Sequence, residues 1–344
     1  MTKRPKTMRV HETDAVVVGA GPVGLFTVFQ CGMVKVRCHV VDALGHVGGQ
    51  LSALYPEKPI YDVPGHPRIL ASELVERLSA QAAPFDPVYH LGVTATTLTP
   101  EPDGRWRMGL GGDEEILARA VILASGGGAF APKRPPLDGL EQYEGRGVFY
   151  SVPRREAFRD KRIVIAGGGD SAVDWAISLS EIAAKVSVVH RRPRFRAAPG
   201  AEAELLRLAE QGRIDLVIPT QLHALEGDNG HLEAVIVSTL EGETRRIPAD
   251  ALLAFFGLSG DVGPVAGWGL DMDGHAVTID PASGAASRPG IFACGDICTY
   301  PGKLRLILTG FAEAARAAHS AHDVVHPGAA LHFVHSTTAG VPGS

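Results

Sequence analysis

The stretch from residue 14 to 42, DAVVVGAGPVGLFTVFQCGMVKVRCHVVD, constrains this chain more than any other. The apolar, β-branched run Ala15 to Val18 predicts a buried parallel strand. It breaks into Gly19-Ala20-Gly21-Pro22-Val23-Gly24, then an apolar stretch of helical character to about Met33, then a second strand ending at Asp42. That is the strand–turn–helix–strand unit that holds a dinucleotide. Gly19 permits the tight turn, Gly21 lets the backbone approach a pyrophosphate, and Gly24 lets helix and strand pack closely. The helix N-terminus, opening at Pro22, then points free N–H groups at the phosphates. Asp42, 23 residues beyond Gly19, stands where a carboxylate accepts hydrogen bonds from ribose hydroxyls.

The unit recurs. RIVIAGGGDSAVDWAISLSEIAAKVSVVHRR, residues 162–192, repeats it at an offset of 148. Gly167 stands for Gly19, Gly169 for Gly21 and Ala172 for Gly24, with Asp170 and Ser171 completing the loop; His190 again falls 23 residues on. Two such loops imply two dinucleotides, or one site and a relic. Their ends differ. Asp42 would repel a 2′-phosphate but bind free ribose hydroxyls, so the first unit suits FAD or NAD. The second ends in His190-Arg191-Arg192, with Arg194 and Arg196 close behind. Guanidinium forks match the 2′-phosphate of NADP, although a solvated basic turn after a strand would read the same way.

At 344 residues the chain has room for two domains, and the order of its pieces suggests an α/β protein with one Rossmann-like dinucleotide-binding domain inserted in another. The expected boundaries are 1–126 with 256–344 for the first domain and 127–255 for the insert. Helices are expected near 71–83, 201–211 and 310–325. A net charge of −5, with no face dominated by Lys and Arg, argues against nucleic acid as a partner. No stretch approaches the roughly 18 apolar residues of a membrane span. The four cysteines, Cys31, Cys38, Cys294 and Cys298, form no C-x-x-C pair, which favours a reducing, cytoplasmic setting. His319, His322 and His326 share a helical face, but nothing around them completes a metal site, so no metal is expected.

Gly48-Gly49-Gln50, the strand Val121 to Gly126 and Ala293-Cys294-Gly295-Asp296 resemble, in this order, the successive FAD motifs of the thioredoxin-reductase-like flavoproteins. GGGDSAVDWA and HRRPRFRA resemble the NADPH motifs of the same superfamily. The resemblance covers nearly the whole chain from Asp14 to Thr337 and implies FAD in the first domain and NADP(H) in the second. One feature is missing. Thioredoxin reductases carry their redox dithiol shortly before the second glycine cluster, where this chain has Tyr150-Ser151-Val152-Pro153-Arg154-Arg155. The glutathione- and lipoamide-type reductases place theirs after the GG motif, where Gln50-Leu51-Ser52-Ala53 stands. Both dithiol routes from flavin to a disulfide are therefore closed.

GGQLSALYPEK, GGGDSAVDWA, CGDICTY and the terminal HST resemble the bacterial ferredoxin–NADP⁺ reductases of thioredoxin-reductase type. That resemblance implies Tyr55 on one face of the flavin ring and His335, from the C-terminal tail, on the other, with no further catalytic group. It also implies FAD contacts at Gln50, Ala95 (through its backbone), Phe130, Asp296 and Thr337, and a homodimer, because the family's tail usually comes from the partner subunit. Rival readings are an NADPH-dependent flavodoxin or quinone reductase and a non-catalytic dinucleotide sensor. An acidic ferredoxin would have to dock on local basic clusters, for which Lys133-Arg134, Arg154-Arg155 with Arg159, and Lys161-Arg162 are the candidates.

Overall fold

The structure, a computed structural model, describes residues 8–152, 154–329 and 340–341. The chain forms two compact units, Met1–Phe130 with Gly260–Ser344, and Ala131–Ser259.

In the first unit five parallel strands lie in the order Val88–Leu91, Cys38–Asp42, Arg9–Val18, Glu114–Leu123 and Ile291–Ala293. Their middle segments are apolar on both faces because both faces are covered. One face carries the helices Pro22–Met33 and Ile307–Val325, packed through Val28, Cys31, Ala314, Ala317, Ala318 and Ala321. The small alanines let the last helix lie close to the sheet. The other face carries an antiparallel layer. The first half of Glu114–Leu123 pairs with Trp106–Leu110, which pairs with Ala95–Pro100. Met108, Ile116 and Trp106 from this layer pack on Val16, Val18 and Val41 of the sheet. Full burial of each such aliphatic side chain contributes about 1.5–3 kcal/mol. A third helix, Ala71–Ala82, turns Leu74, Val75 and Leu78 onto Leu25 of the first helix and leaves Glu73 and Arg77 paired on its outer side.

The second unit repeats the plan. Five parallel strands run in the order Val148–Phe149, Ala251–Ala254, Arg162–Ala166, Lys185–Val189 and Ile214–Val217. Helices Asp170–Leu179 and Pro199–Glu210 cover one face through Val173, Ala176, Leu205 and Leu208. The antiparallel strands Gln221–Asp228, His231–Ser238 and Thr244–Pro248 cover the other, with Val235 and Val237 against Val164 and Val189. The internal repeat seen in the glycine loops thus extends to the whole architecture, an α/β fold of two parallel-sheet units.

Most elements lie within a residue or two of their expected places. The exceptions are the strand expected over Ala15 to Val18, which runs from Arg9, the strand expected over Val121 to Gly126, which spans Glu114–Leu123, and the last helix, which starts at Ile307 rather than near Gly310. Leu306, Ile307 and Leu308 carry no start signal, and tertiary contact rather than local propensity sets this end.

The strand–helix crossing of the first unit is sterically closed. A Cβ on Gly24 would lie 1.9 Å from the Gly19 carbonyl oxygen, and a Cβ on Gly19, at φ +110°, would lie 2.4 Å from the Ala124 oxygen. Gly24→Ala should therefore destabilise the fold by about 1–3 kcal/mol in urea titration, the usual cost of overpacking. Gly45→Ala, with nothing within 4 Å of the new Cβ, should stay within about 0.5 kcal/mol of the parent. Equal midpoints for the two variants would contradict the closed crossing.

Candidate dinucleotide sites

The first glycine loop opens a cavity of about 420 Å³ lying wholly within the first unit. Gly19 and Gly21, the start of the first helix, Asp42, the Gly49-Gln50 turn, Tyr55 and Gly295-Asp296 line it. The helix has Gly21 as its N-cap and Pro22 in its first turn, with no side chain capping it. Its first internal bond runs from the Leu25 N–H to the Gly21 carbonyl, so the N–H groups of Val23 and Gly24 are left for a ligand. Opposite, the Gly49 Cα sits so near Gly21 that a Cβ on Gly49 would lie 3.1 Å from the Gly21 Cα. The cleft between these loops admits backbone and a phosphate chain, and a side chain would fill it.

Asp42 does more than face the cavity. Its Oδ2 accepts the Ala20 N–H at 2.7 Å, and its Oδ1 accepts the Leu44 N–H at 2.8 Å. The carboxylate thereby ties the phosphate loop to the turn after its own strand. Each oxygen keeps a lone pair for a ribose hydroxyl. The Asp42 carbonyl accepts the Val93 N–H, which brings Val93, Thr94 and Ala95 to the cavity wall. Gln50 opens the short helix Gln50–Leu54 and Tyr55 closes it. Burial, followed by the nearby charge of Asp296, raises the Tyr55 phenol above its ordinary pKa, so both side chains address one space. Phe130 falls in the strand Ala129–Pro132. His335 and Thr337 lie outside the described residues.

Two features of this site escape the sequence. Ser125 lines the cavity with a buried hydroxyl oxygen that has no hydrogen-bond partner among the described residues. Behind the wall lies a buried ion pair between Lys303 and Glu313, whose side chains are 5% and 2% exposed. Glu313 accepts the Gly295 N–H at 2.8 Å and the Tyr300 hydroxyl at 2.7 Å, and Lys303 donates to the Gly295 carbonyl at 3.0 Å. The pair therefore grips the Gly295 peptide on both sides and holds Asp296 toward the cavity. Sequence spacing gave no hint of it, because a lysine and a glutamate ten residues apart usually mark two solvated positions.

The second loop is built alike. Gly169 caps the helix Asp170–Leu179 with no side-chain bond. Asp170 Oδ1 accepts the Ala198 N–H, and the Arg196 N–H bonds the Gly168 carbonyl, which folds the basic segment back onto the glycine turn. Arg191, Arg192 and Arg196 are exposed there, and no acidic side chain pairs with them among the described residues. Ser171 is exposed beside them and Ala172 is buried behind. His190 is 8% exposed, beneath the loop, where its ring occupies the space a Cβ on Gly168 would need. Burial holds its imidazole below the ordinary pKa, against a hydrogen bond to the Arg194 backbone and together with the charges of Arg196, Arg192 and Arg191.

The basic clusters weighed as docking sites look different in three dimensions. Arg134 pairs with Glu144 and Glu141, Arg155 with Glu181, Arg159 with Glu156 and Arg162 with Asp250. The charge of these four arginines is largely neutralised locally, which weakens their part of each cluster as an attractive surface. His319 and His326 are turned to the backbone carbonyls of Ala315 and Lys35, and His322 is buried beside Asp323.

Removing one partner of the Lys303–Glu313 pair leaves a buried charge, so Lys303→Met should cost about 3–5 kcal/mol of unfolding free energy. Lys303→Met combined with Glu313→Gln should cost less than the single change. A single variant within about 1 kcal/mol of the parent would contradict the grip on Gly295.

Residues 13–322 match the family described as pyridine nucleotide-disulphide oxidoreductase. A ferredoxin–NADP reductase of Paramagnetospirillum magneticum is 72% identical over 335 residues, covering 97% of this chain and 99% of that protein. One from Rhodospirillum rubrum is 59% identical, covering 96% and 97%. Among solved structures, the thioredoxin reductase of T. acidophilum superposes with a TM-score of 0.76 at 24% identity, covering 91% of this chain and 98% of that one, a likeness of fold. A whole-chain match at this identity leaves one conclusion: the chain belongs to the pyridine nucleotide-disulphide oxidoreductases and, within them, to the ferredoxin–NADP reductase family.

Proposed function

We propose that the first unit holds FAD, that the second holds NADP(H), and that the chain passes electrons between NADPH and ferredoxin through the flavin. The observation that carries this reading is the state of the sulfur. Cys31, Cys38, Cys294 and Cys298 are all buried and none is bridged. Burial pushes the Cys294 and Cys298 thiols up to about 12, so neither supplies a thiolate near neutral pH. An oxidoreductase with two dinucleotide loops and no reactive dithiol must hand its electrons on directly.

FAD, when bound, supplies a ring that accepts a hydride and releases electrons singly. The chain supplies orientation. Gly19, Gly21, Pro22 and Gly24 would cradle the diphosphate against the helix N-terminus, and the free lone pairs of Asp42 would take the ribose. Asp296 and the Ser125 hydroxyl would hold the ribityl chain, Ala95 would offer backbone, and Gln50 and Tyr55 would border the ring. Phe130, His335 and Thr337 complete the set by family resemblance. In the second unit Gly167, Gly169, Asp170, Ser171 and Ala172 form the diphosphate turn. Arg191, Arg192 and Arg196 take the 2′-phosphate, with His190 supporting the turn from beneath. No acid or base is required, because hydride transfer asks for distance and alignment.

The same reading carries a homodimer in the cytoplasm. Leu304, Leu306 and Leu308, exposed beside the cavity rim, support an apolar contact there. No described helix is long and apolar enough to cross a membrane.

Two measurements test the reading. The protein should purify yellow with one FAD per chain released by acid; FMN in the supernatant would contradict the assignment. Arg192→Ala should weaken NADPH binding by about 1.5–3 kcal/mol, roughly tenfold or more, while NADH is little affected. Equal kcat/KM for NADPH and NADH in the parent would contradict it. Turnover with ferredoxin separates this reading from a flavodoxin or quinone reductase, and steady NADPH oxidation with ferricyanide separates it from a sensor.

A further inference from the structure

Away from both loops, three histidines converge in the first unit. His11 stands on the strand Arg9–Val18, His39 on Cys38–Asp42 and His90 on Val88–Leu91. Their ring centroids are 4.8 Å (His11 to His90), 5.1 Å (His39 to His90) and 5.9 Å (His11 to His39) apart. His39 Nδ1 lies 3.0 Å from His90 Nε2. One nitrogen from each ring falls within 4.8 Å of the others. Glu114 joins them, its Oε2 at 3.4 Å from His11 Nε2 and 3.9 Å from His90 Nδ1. His11 Nε2 is closed to solvent and has no hydrogen-bond partner among the described residues, an unusual state for a polar atom.

We propose that His11, His39 and His90 form a binding site for one divalent transition-metal ion of the zinc type, with Glu114 at its rim orienting the His11 and His90 rings. Three imidazoles are a donor set that zinc accepts, with a water in the fourth position. Bond lengths near 2.0–2.1 Å place neighbouring donors about 3.3 Å apart. The His39–His90 separation already approaches that value, and the third nitrogen lies within 4.8 Å of both.

The position gives the site its purpose. His39 and His90 stand on the two outer strands at one edge of the parallel sheet, whereas His11 and Glu114 stand where the next two strands, still paired in parallel, begin. An ion held among them fastens the edge strands Val88–Leu91 and Cys38–Asp42 to the start of Arg9–Val18, as a structural staple outside the electron path.

The test uses holoprotein dialysed against EDTA and titrated with ZnCl2 by calorimetry. One equivalent should bind at about micromolar Kd or tighter, and the ion should raise Tm, reversibly with EDTA. His39→Ala and His11→Gln should each weaken binding at least about tenfold, a loss known even for outer partners of metal-bound histidines. His275→Ala, an exposed histidine elsewhere, should leave it unchanged. Failure of the parent to bind one equivalent overturns the proposal without recourse to any variant. So does undiminished affinity in both His39→Ala and His11→Gln.

Discussion

The fold of the first unit depends on a contact with no room for a side chain. Gly19, Gly24 and Ala124 meet where the first strand ends, the first helix begins and the neighbouring strand leaves the sheet. Backbone against backbone at this point sets the angle of the helix, and the angle aims its unsatisfied N–H groups into the cavity. Two neighbouring bonds lock the junction: Gly19 donates to the Val41 carbonyl at 2.8 Å and Ala124 to the Val18 carbonyl at 2.7 Å. The second unit repeats both bonds, from Gly167 to Val189 and from Phe255 to Ala166. Only the third glycine differs, and Ala172 fits because the turn at Gly167 leaves just enough space for its methyl group.

Around that junction, charge is used to fix backbone. Asp42 binds two loop N–H groups from below, and the Lys303–Glu313 pair holds the Gly295 peptide from behind. A buried ion pair is weak support for stability in itself, since desolvation offsets most of the attraction. Here its hydrogen bonds have a structural object, a glycine at φ +76° whose neighbour Asp296 faces the cavity. The cavity wall is thereby stiff on the sides where a long cofactor would need its polar groups held in place.

How much of this could be read beforehand follows from distance along the chain. Each glycine loop and the acid or arginines that end its unit lie within about thirty residues, so spacing alone reveals them and their repeat. The α/β class followed from apolar strands alternating with helices. Contacts between remote segments were hidden. Ser125 reads as part of a glycine turn, Ile307 as the middle of a loop, and Lys303 and Glu313 as surface charges. The three clustered histidines come from strands 28 and 51 residues apart, whereas His319 and His326, which share a helical face with His322, are turned to backbone carbonyls. The basic clusters lose part of their charge to acids near in sequence, Glu144 and Glu156, and to remote ones, Glu181 and Asp250.

The central chemical claim is that electrons leave the flavin with no sulfur relay, and rapid mixing tests it most directly. Purified FAD-loaded protein is reduced anaerobically with one equivalent of NADPH, then mixed with oxidised ferredoxin or with a protein disulfide such as oxidised thioredoxin. The account predicts that ferredoxin restores the oxidised flavin spectrum within the turnover time and that the disulfide leaves the flavin reduced. Rapid reoxidation by the disulfide, or none by any ferredoxin, would contradict it.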